Sequence, residues 1–408
     1  MYNKDDILDK KNDKIMDQEK DKITENNIYD KKENQNEDEM INWQALNPIP
    51  VPTWRWLGVN DRLIKGDPIS EKSVFPPYQF KILNLSKLDV KVENMNEEKN
   101  SHLQWKDFAI DGISQQVGMQ VVKQYNSGFY LETKARQKSK EAIQISYEFK
   151  KEQNVVVDNN LIHAMEGSEL TVIVDYESLD NHVAYHNGLT RIYCEKDAIL
   201  NYIIVQKLSE ESTHLGACIA KLEENATINY IIVELGSKNN ITNVRNDLLG
   251  NQSSANIHTV YMGEGQRELD INYICNHYGK ESKSNIEVKG VLQDQSNKIF
   301  KGTLDFKKGA KKAVGQEEEY VVLLSDKVRN RSVPLLLCTE EDVSGQHAAS
   351  AGRIEEDKLF YLMTRGFSEV QAKKLIVEAT IRPVIDRIEE KTLRDAIYEE
   401  IRRKINHG

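Results

Sequence analysis

Short segments in which hydrophobic and polar residues alternate follow one another through the middle of the chain. Residues 142–149 read Ala-Ile-Gln-Ile-Ser-Tyr-Glu-Phe, with an apolar side chain at every second position from Ile143. This alternation is typical of a half-buried strand. Segments rich in β-branched and aromatic residues continue the series to about Leu324 at intervals of about 10–15 residues. The pattern predicts a mainly β protein.

One five-residue sequence within this series occurs twice. Asn201–Val205 reads Asn-Tyr-Ile-Ile-Val, and Asn229–Val233 repeats it 28 residues later, with a weaker third copy at Asn272–Cys275. Similarity at a fixed period is typical of stacked repeat units, which bury their apolar faces against one another. We therefore predict a β-solenoid, a parallel β-helix, over residues 126–350. A β-sandwich is the alternative, because it would also contain many short strands.

The segments before the predicted solenoid differ from it in composition. Residues 1–40 mix Lys, Asp, Glu and Asn with almost no apolar periodicity, which predicts a disordered charged tail. Residues 41–125 are predicted to form an N-terminal α/β cap domain. All four tryptophans fall within the first 105 residues, so we expect them to form an aromatic core of this cap; they are Trp43, Trp54, Trp56 and Trp105.

The pattern changes to that of helices over residues 351–408. A short helix is predicted to end at Gly366, and Ser368 and Gln371 have the spacing of a capping box that opens the next helix through Thr380. Pro383 is expected to interrupt it.

A final helix carries one apolar stripe, repeated every four residues: Leu393, Ile397, Ile401 and Ile405. The stripe predicts packing against the core of the protein or, on a terminal helix, docking of a partner.

Charge and cysteine content narrow the class of protein. The chain has 55 Lys and Arg against 65 Asp and Glu, a net charge of −10, which argues against a nucleic-acid partner. No apolar run approaches the roughly 18 residues of a membrane span, and the charged N-terminus shows no signal peptide. The four cysteines form no Cys-x-x-Cys pair, as expected in a reducing compartment. We therefore expect a cytoplasmic protein without a membrane partner.

Few residues suggest reaction chemistry. His182 and His186 would share a side of a strand, but no carboxylate or thiol stands at metal-ligand spacing from them. Gly263–Arg267 predicts a turn between strands rather than a phosphate loop. Cys338 and His347 flank a carboxylate-rich segment just before the helices, where they would offer ligands for iron or a cluster. The alternative for His347 is a surface histidine in a loop.

Residues 343–369 resemble a family signature. The sequence Val-Ser-Gly-Gln-His-Ala-Ala-Ser-Ala-Gly-Arg-Ile-Glu-Glu-Asp-Lys-Leu-Phe-Tyr-Leu-Met-Thr-Arg-Gly-Phe-Ser-Glu is similar to that of the SufB/SufD family of iron–sulfur cluster assembly proteins. The shared features are a His followed by small residues, an acidic stretch, Leu-Phe-Tyr-Leu and Thr-Arg-Gly. The resemblance covers roughly residues 41–408, and the short chain is more similar to SufD than to SufB.

The resemblance implies a right-handed parallel β-helix between an N-terminal domain and C-terminal helices. It implies a non-enzymatic scaffold subunit that pairs with a SufB-type scaffold through the β-helices and binds a SufC-type ABC ATPase through the C-terminal helices. His347 is then a candidate iron or cluster ligand at the subunit interface, where a cluster would be held transiently rather than by this chain alone. The residues expected to bind a partner are Leu359, Phe360, Tyr361, Arg365 and Gly366.

The chain departs from the family pattern at one position. The SufD pattern often has a Cys two residues before the His, and this chain has Gly345 there. Cys338 lies nine residues before His347, roughly 30 Å along an extended strand, unless a tight turn brings the two together. A SufB-type subunit that carries the nascent cluster itself and a β-helix carbohydrate-active enzyme are the alternative hypotheses.

Overall fold

The structure, a computed structural model, describes residues 45–53, 55–64, 73–85, 89–95 and 108–405. The predicted tail, residues 1–40, and the tryptophans Trp43, Trp54 and Trp105 lie outside these ranges. The domain boundaries stay predictions.

Eighteen strands in the described residues form two sheets of nine strands each. In spatial order, sheet I consists of β1 (Lys81–Leu83), β4 (Lys138–Phe149), β6 (Glu169–Ser178), β8 (Ile199–Lys207), β10 (Thr227–Glu234), β12 (Ser254–Gly263), β14 (Lys283–Leu292), β16 (Val314–Leu323) and β18 (Ser344–Arg353). Sheet II, in the same direction, consists of β2 (Lys91–Asn94), β3 (Phe129–Glu132), β5 (Val155–Ala164), β7 (Tyr185–Cys194), β9 (Thr213–Leu222), β11 (Asn239–Leu248), β13 (Glu268–His277), β15 (Asn297–Phe306) and β17 (Arg329–Cys338).

Successive strands alternate between the two sheets, so each pair of strands makes one turn of a coil. From β3 to β18 all neighbouring strands within a sheet are parallel. The two antiparallel pairs of these sheets are β1 with β4 and β2 with β3. The result is a parallel β-solenoid of about eight turns. The predicted solenoid is confirmed, and the sandwich alternative is wrong.

The repeated sequence explains the register of the stack. Asn201 pairs with Asn229 and Tyr202 with Tyr230, so the two copies lie directly over each other in β8 and β10. The tyrosines are buried in the core between the sheets. The asparagines stack outside, where Asn229 Nδ2 donates to Asn201 Oδ1 at 2.8 Å. Each turn thus supplies the hydrogen-bond partner of the next.

The third copy of that sequence does not continue the ladder. Asn272–Cys275 lies in β13 of sheet II, whereas the strand in register with the second copy is β12, which has Asn256 and Ile257 at the matching positions. Asn256 Nδ2 continues the outer ladder with a bond of 2.8 Å to Asn229 Oδ1. Position in the coil, not sequence identity, decides which residues stack.

Four α-helices lie in the described residues: α1 (Gln115–Gln124), α2 (Glu356–Thr364), α3 (Glu369–Ile385) and α4 (Lys391–Ile405). A short 3₁₀ helix spans Arg55–Leu57. Helices α3 and α4 pack on the outer face of sheet I, against apolar residues such as Ile203, Val233 and Val260. The stripe of α4 is buried in this contact. Its predicted packing on the core is therefore confirmed, and its alternative as a partner surface is wrong.

The start of α3 agrees with the prediction from the sequence, and its end does not. The Ser368 hydroxyl and the Gln371 side chain form the predicted capping box, and Gly366 ends the preceding turn with φ +97°. Pro383 does not interrupt the helix before it, because α3 continues to Ile385 with the proline in its last turn.

Residues 45–53 and 55–64 pack against sheet II. Asn47 Nδ2 donates to the carbonyl of Thr242 and to Asp270 Oδ1, both at 3.0 Å. Lys301 Nζ donates to the Asn47 carbonyl at 2.8 Å and to both carboxylate oxygens of Asp270 at 2.9 Å. Trp56 is 79% exposed, so the prediction that it belongs to an aromatic core is wrong.

Asp175 gives the stability of the fold a specific pH dependence. Its carboxylate lies 3.3 Å from Lys207 Nζ, while Oδ1 has no hydrogen-bond partner among the described residues. Burial raises the pKa of Asp175 to about 6. A pKa raised by folding adds stability below the unfolded value near 4, and this contribution is lost as the pH rises through 6.

We expect Asp175→Asn to remove this loss. Between pH 4 and pH 7 the wild-type free energy of unfolding should fall by roughly 1–3 kcal/mol relative to the variant, as measured by denaturant titration at each pH. Asp197→Asn, at an exposed turn position, is the control and should follow the wild-type profile. A constant difference between wild type and Asp175→Asn across this range would contradict the prediction.

Candidate functional site

The last turn of the solenoid is open. Within the described part of the chain, β17 pairs only with β15 and β18 only with β16. The residues of β17 and β18 are exposed or half-buried, in contrast to the buried positions of the strands before them. Interior side chains of this turn therefore face solvent, and two strand edges keep unpaired backbone groups. We call this region the open end.

His347 stands at an interior position of the open end. Its register partner on β16 is Glu317, and both Glu317 and its second neighbour Glu319 are buried between the sheets. Side chains alternate along a strand, so His347 is on the same face as those two carboxyl groups. It is exposed because no further turn covers it. The structure thus places the predicted ligand where another molecule can reach it.

Cys338 and Gly345 line one groove at the open end, with a volume of about 650 Å³. Cys338 is the last residue of β17, and a short turn returns the chain to Gly345 near the start of β18. The Cys338 thiol is exposed and donates to the carbonyl of Glu340 at 2.8 Å. The turn therefore brings the thiol much nearer to the His347 strand than the extended-chain distance implies.

A side chain at residue 345 would have close neighbours in this groove. A Cβ placed on Gly345 would lie 2.5 Å from Leu336 Cδ1 and 3.1 Å from Phe306 Cε2. Both distances are shorter than ordinary contacts, so a cysteine at this position would require Leu336 to move. The thiol of this groove comes from the opposite strand instead.

Two buried carboxyl groups, those of Glu317 and Glu319, lie on β16, next to the open end. Their surroundings differ. Glu319 Oε1 is 2.6 Å from Lys298 Nζ and accepts from the Tyr261 hydroxyl at 3.0 Å, and Ser332 donates to its other oxygen. Glu317 is 4% exposed, and its Oε2 has no hydrogen-bond partner among the residues that the structure describes. Burial raises the pKa of Glu317 to about 8, and the charge of Glu319 adds to this effect. Glu319 is thus satisfied by the protein, whereas Glu317 is not.

His182 and His186, which the sequence would place on one side of a strand, lie in different surroundings. His182 is in a turn beside Asp180, 3.0 Å away. His186 is buried, with Nε2 at 2.6 Å from Asp158 and Nδ1 at 2.8 Å from His214 Nδ1. Burial lowers the pKa of His214 well below its usual value, and the neighbouring His186 adds to this. No three His, Cys, Asp or Glu side chains of the described residues are arranged to hold a metal ion.

An apolar surface lies on α2 and the start of α3. Five large side chains there are exposed to 41% or more and define what we call the α2 patch: Phe360, Tyr361, Met363, Phe367 and Val370. Arg365 lies over the Tyr361 ring, 5.2 Å from its centroid, and donates to the Tyr361 hydroxyl at 3.2 Å. Leu359 is half-buried and Gly366 exposed. The predicted partner-binding residues thus lie on or beside one continuous segment of the surface.

The sequence analysis did not single out Glu317, although a signal for it was present. Residues 317–319 are three consecutive glutamates within a predicted strand. Alternation requires that the first and third share a face with Val321, which is a core residue. A strand that places two carboxyl groups on its buried face is unusual, because buried carboxylates need partners.

The fold defines the chain as a parallel β-solenoid protein with helices packed on both sheets, α1 on sheet II and α3 and α4 on sheet I. Comparison with family models narrows this class. Residues 147–380, more than half of the chain, match the model described as SUF system FeS cluster assembly, SufBD core domain. The chain belongs to this family of iron–sulfur cluster assembly proteins.

Curated relatives support the assignment. The iron–sulfur cluster assembly protein SufD of Bacillus subtilis is 27% identical over 282 residues, which are 69% of this chain and 64% of the relative. A SufBD family protein of Pyrococcus horikoshii is 28% identical over 228 residues, 56% of this chain and 49% of the relative. One of Staphylococcus saprophyticus is 26% identical over 199 residues, 48% and 43% of the two chains. The matches therefore span between 43% and 64% of the length of these relatives.

The likeness to SufD agrees with the resemblance inferred from residues 343–369. Among the described helices, none has the length and apolar character needed to cross a bilayer.

Proposed function

We propose that this chain is a SufD-like, non-enzymatic scaffold subunit of a cytoplasmic iron–sulfur cluster assembly complex. The observation that carries the proposal is the open end, which combines unpaired strand edges with the exposed imidazole of His347. An unpaired edge of a sheet readily pairs with another chain. A SufB-type scaffold with an open end of its own is the partner that fits, and the cluster would form between the two.

The ligand chemistry of the open end fits a shared site better than one held by this chain. Iron–sulfur clusters are held mainly by thiolates, and residue 345, two positions before His347, is a glycine. His347 supplies one imidazole nitrogen, a suitable ligand for iron. In the proposed complex the partner would supply the thiolates, and a cluster would reside at the interface only transiently.

The α2 patch is the proposed site for a SufC-type ABC ATPase. An exposed apolar surface on a helix, next to an arginine, is the kind of surface that a partner buries. The outer face of sheet I behind it is already covered by α3 and α4. A partner that moved these helices would therefore act on the strands of the solenoid itself.

Co-expression with SufB- and SufC-type proteins tests the proposal. We expect the three chains to purify together, with a mass that requires all three. Recovery of this chain without either protein would contradict the proposed function.

Cys338 favours a second candidate, a SufB-type chain that carries the nascent cluster itself, because an exposed thiol shares a groove with Gly345. Anaerobic reconstitution of the isolated chain with iron and sulfide distinguishes the two. The SufD-like proposal expects no stable cluster on this chain alone, and a cluster that survives gel filtration would favour the second candidate.

We expect Phe360→Asp to prevent capture of the ATPase without unfolding the chain. Phe360 is 69% exposed, so the charge costs little stability in the free chain but would be buried without a partner in the complex. Co-purified ATPase should fall at least about tenfold with the melting temperature unchanged. Val183→Asp, at a 56% exposed position in the turn between β6 and β7, is the matched control. Equal recovery of the ATPase by both variants would rule out the α2 patch.

A further inference from the structure

Glu317 is a buried carboxyl group without the partners that such a group needs. Its Oε2 makes no hydrogen bond to any described residue, and the side chain is 4% exposed. A buried polar atom left without a partner destabilises the folded chain. An apolar residue at position 317 would avoid this cost, as Val321 does four residues further along the same strand face. The carboxyl group is therefore not explained by the stability of the free chain.

The surroundings of Glu317 make room for its carboxyl group. A Cβ placed on Gly302 of the opposite sheet would lie 2.2–2.4 Å from the carboxyl carbon and oxygens of Glu317, so the carboxyl occupies the space that a side chain at 302 would fill. The register partner of Gly302 in the last turn is Pro334. The carboxyl therefore belongs to the turn directly next to the open end.

His347 is the neighbour of Glu317 in that last turn. The two residues are register partners on adjacent parallel strands and are on the same face, which sets their backbones about 4.8 Å apart. The Glu317 side chain has three rotatable bonds, so its free oxygen can turn from Gly302 toward the imidazole. An imidazole nitrogen and a carboxylate oxygen at this spacing can share one metal ion.

We propose that Glu317 and His347 together bind ferrous iron at the open end. The inference rests on the proposed function, since iron is cargo of an assembly scaffold, and it adds a second ligand from this chain. Imidazole and carboxylate are a ligand combination typical of non-haem Fe(II) sites. The bound ion would give Glu317 Oε2 the partner that the protein does not supply. Two ligands leave further positions on the iron for sulfide, water or ligands of the partner chain.

The charges around Glu317 favour a cation over an anion. Glu317 and Glu319 are two buried carboxyl groups on one face of β16, and Lys298, 2.6 Å from Glu319, supplies one positive charge for the two. Cys338 lines the neighbouring groove, and the lining of that groove does not include Glu317. The pair thus offers nitrogen and oxygen, and no sulfur, to the iron.

Binding of Fe²⁺ under anaerobic conditions tests the pair. We expect Glu317→Gln and His347→Ala each to weaken Fe²⁺ binding by the assembled complex at least about tenfold, as seen when the surroundings of metal ligands are changed. Because both residues contact one ion, the double variant should be little weaker than the weaker single variant. Glu318→Gln is the matched control: Glu318 is the next residue on β16, and its side chain is 62% exposed. It should bind Fe²⁺ as the wild type does.

The melting temperature of the isolated chain gives a second readout. Glu317→Gln should melt at or above the wild-type temperature, because no partner of the carboxylate is lost. Wild-type affinity for Fe²⁺ in Glu317→Gln, or a melting temperature lowered by several degrees, would overturn the proposal.

Co²⁺ titration of the isolated chain, followed by visible absorption, separates the two proposals. If the wild-type chain captures neither SufB- nor SufC-type protein, the proposed function fails. Co²⁺ absorption that is lost in Glu317→Gln would still establish the pair, and unchanged absorption would exclude it.

Discussion

Replacing His347 with alanine is expected to reduce cluster assembly by the complex at least about 100-fold. Changing a residue that supports a metal ligand typically lowers metal affinity or activity about 10–100-fold, and removing the ligand itself should have at least as large an effect. The imidazole is exposed at the open end and makes no hydrogen bond to the described residues, so its removal should leave the fold and the strand edges unchanged. The rate of cluster transfer to an apo acceptor measures the loss. The mass of the complex, measured in parallel, should equal that of the wild type.

Two variants separate the role of the imidazole from general effects at the open end. Gln346→Ala changes the residue before His347, which points to the other face of β18. His182→Ala removes an exposed histidine from a distant turn. Both should transfer clusters at the wild-type rate. A His347→Ala complex that does the same would remove His347 from the site.

Replacing Asp270 with alanine is expected to lower the free energy of unfolding by about 3–5 kcal/mol, the cost of leaving one charge of a buried pair without its partner. Asp270 and Lys301 are both fully buried, with Lys301 Nζ at 2.9 Å from each carboxylate oxygen. Burial raises the pKa of Asp270, while Lys301 opposes this shift. The variant also loses the bond from Asn47 Nδ2 to Asp270 Oδ1, so the segment around Asn47 should detach from sheet II at a lower denaturant concentration.

The double variant Asp270→Leu/Lys301→Met tests the cause of the loss. Replacing both charges with apolar side chains should recover most of the stability, because no unpaired charge remains. Lys196→Ala, which breaks an exposed pair with Glu224, is the control and should leave the free energy of unfolding close to the wild-type value. A loss in Asp270→Ala no larger than that in Lys196→Ala would contradict the structural role of the buried pair.

The solenoid could be predicted because the repeated sequence, which indicated it, also stabilises the contact between successive turns. Asn201 and Asn229 recur at one interval because each amide bonds to the next in the coil. The apolar stripe of α4 was predictable for a similar reason, since helical spacing alone brings its residues onto one face. Local chemistry was sufficient for the capping box at Ser368 as well.

Features that depend on contacts between distant parts of the chain could not be predicted from the sequence. Trp56 is exposed although tryptophan usually packs in cores, because residues 45–53 and 55–64 contact sheet II through Leu46, Asn47 and backbone carbonyls. The approach of Cys338 to Gly345 depends on the turn between β17 and β18. The unsatisfied carboxyl of Glu317 could not be predicted, because it depends on Gly302, which the fold places beside it from the opposite sheet.

The free edges of β17 and β18 also affect how many copies of this chain a cell can hold without aggregation. Each strand is ten residues long and offers backbone donors and acceptors along one side. Surplus copies would pair with one another or with unrelated strands and precipitate. We therefore expect synthesis of this chain to be matched to that of its partner, and unmatched copies to be the first removed by proteolysis.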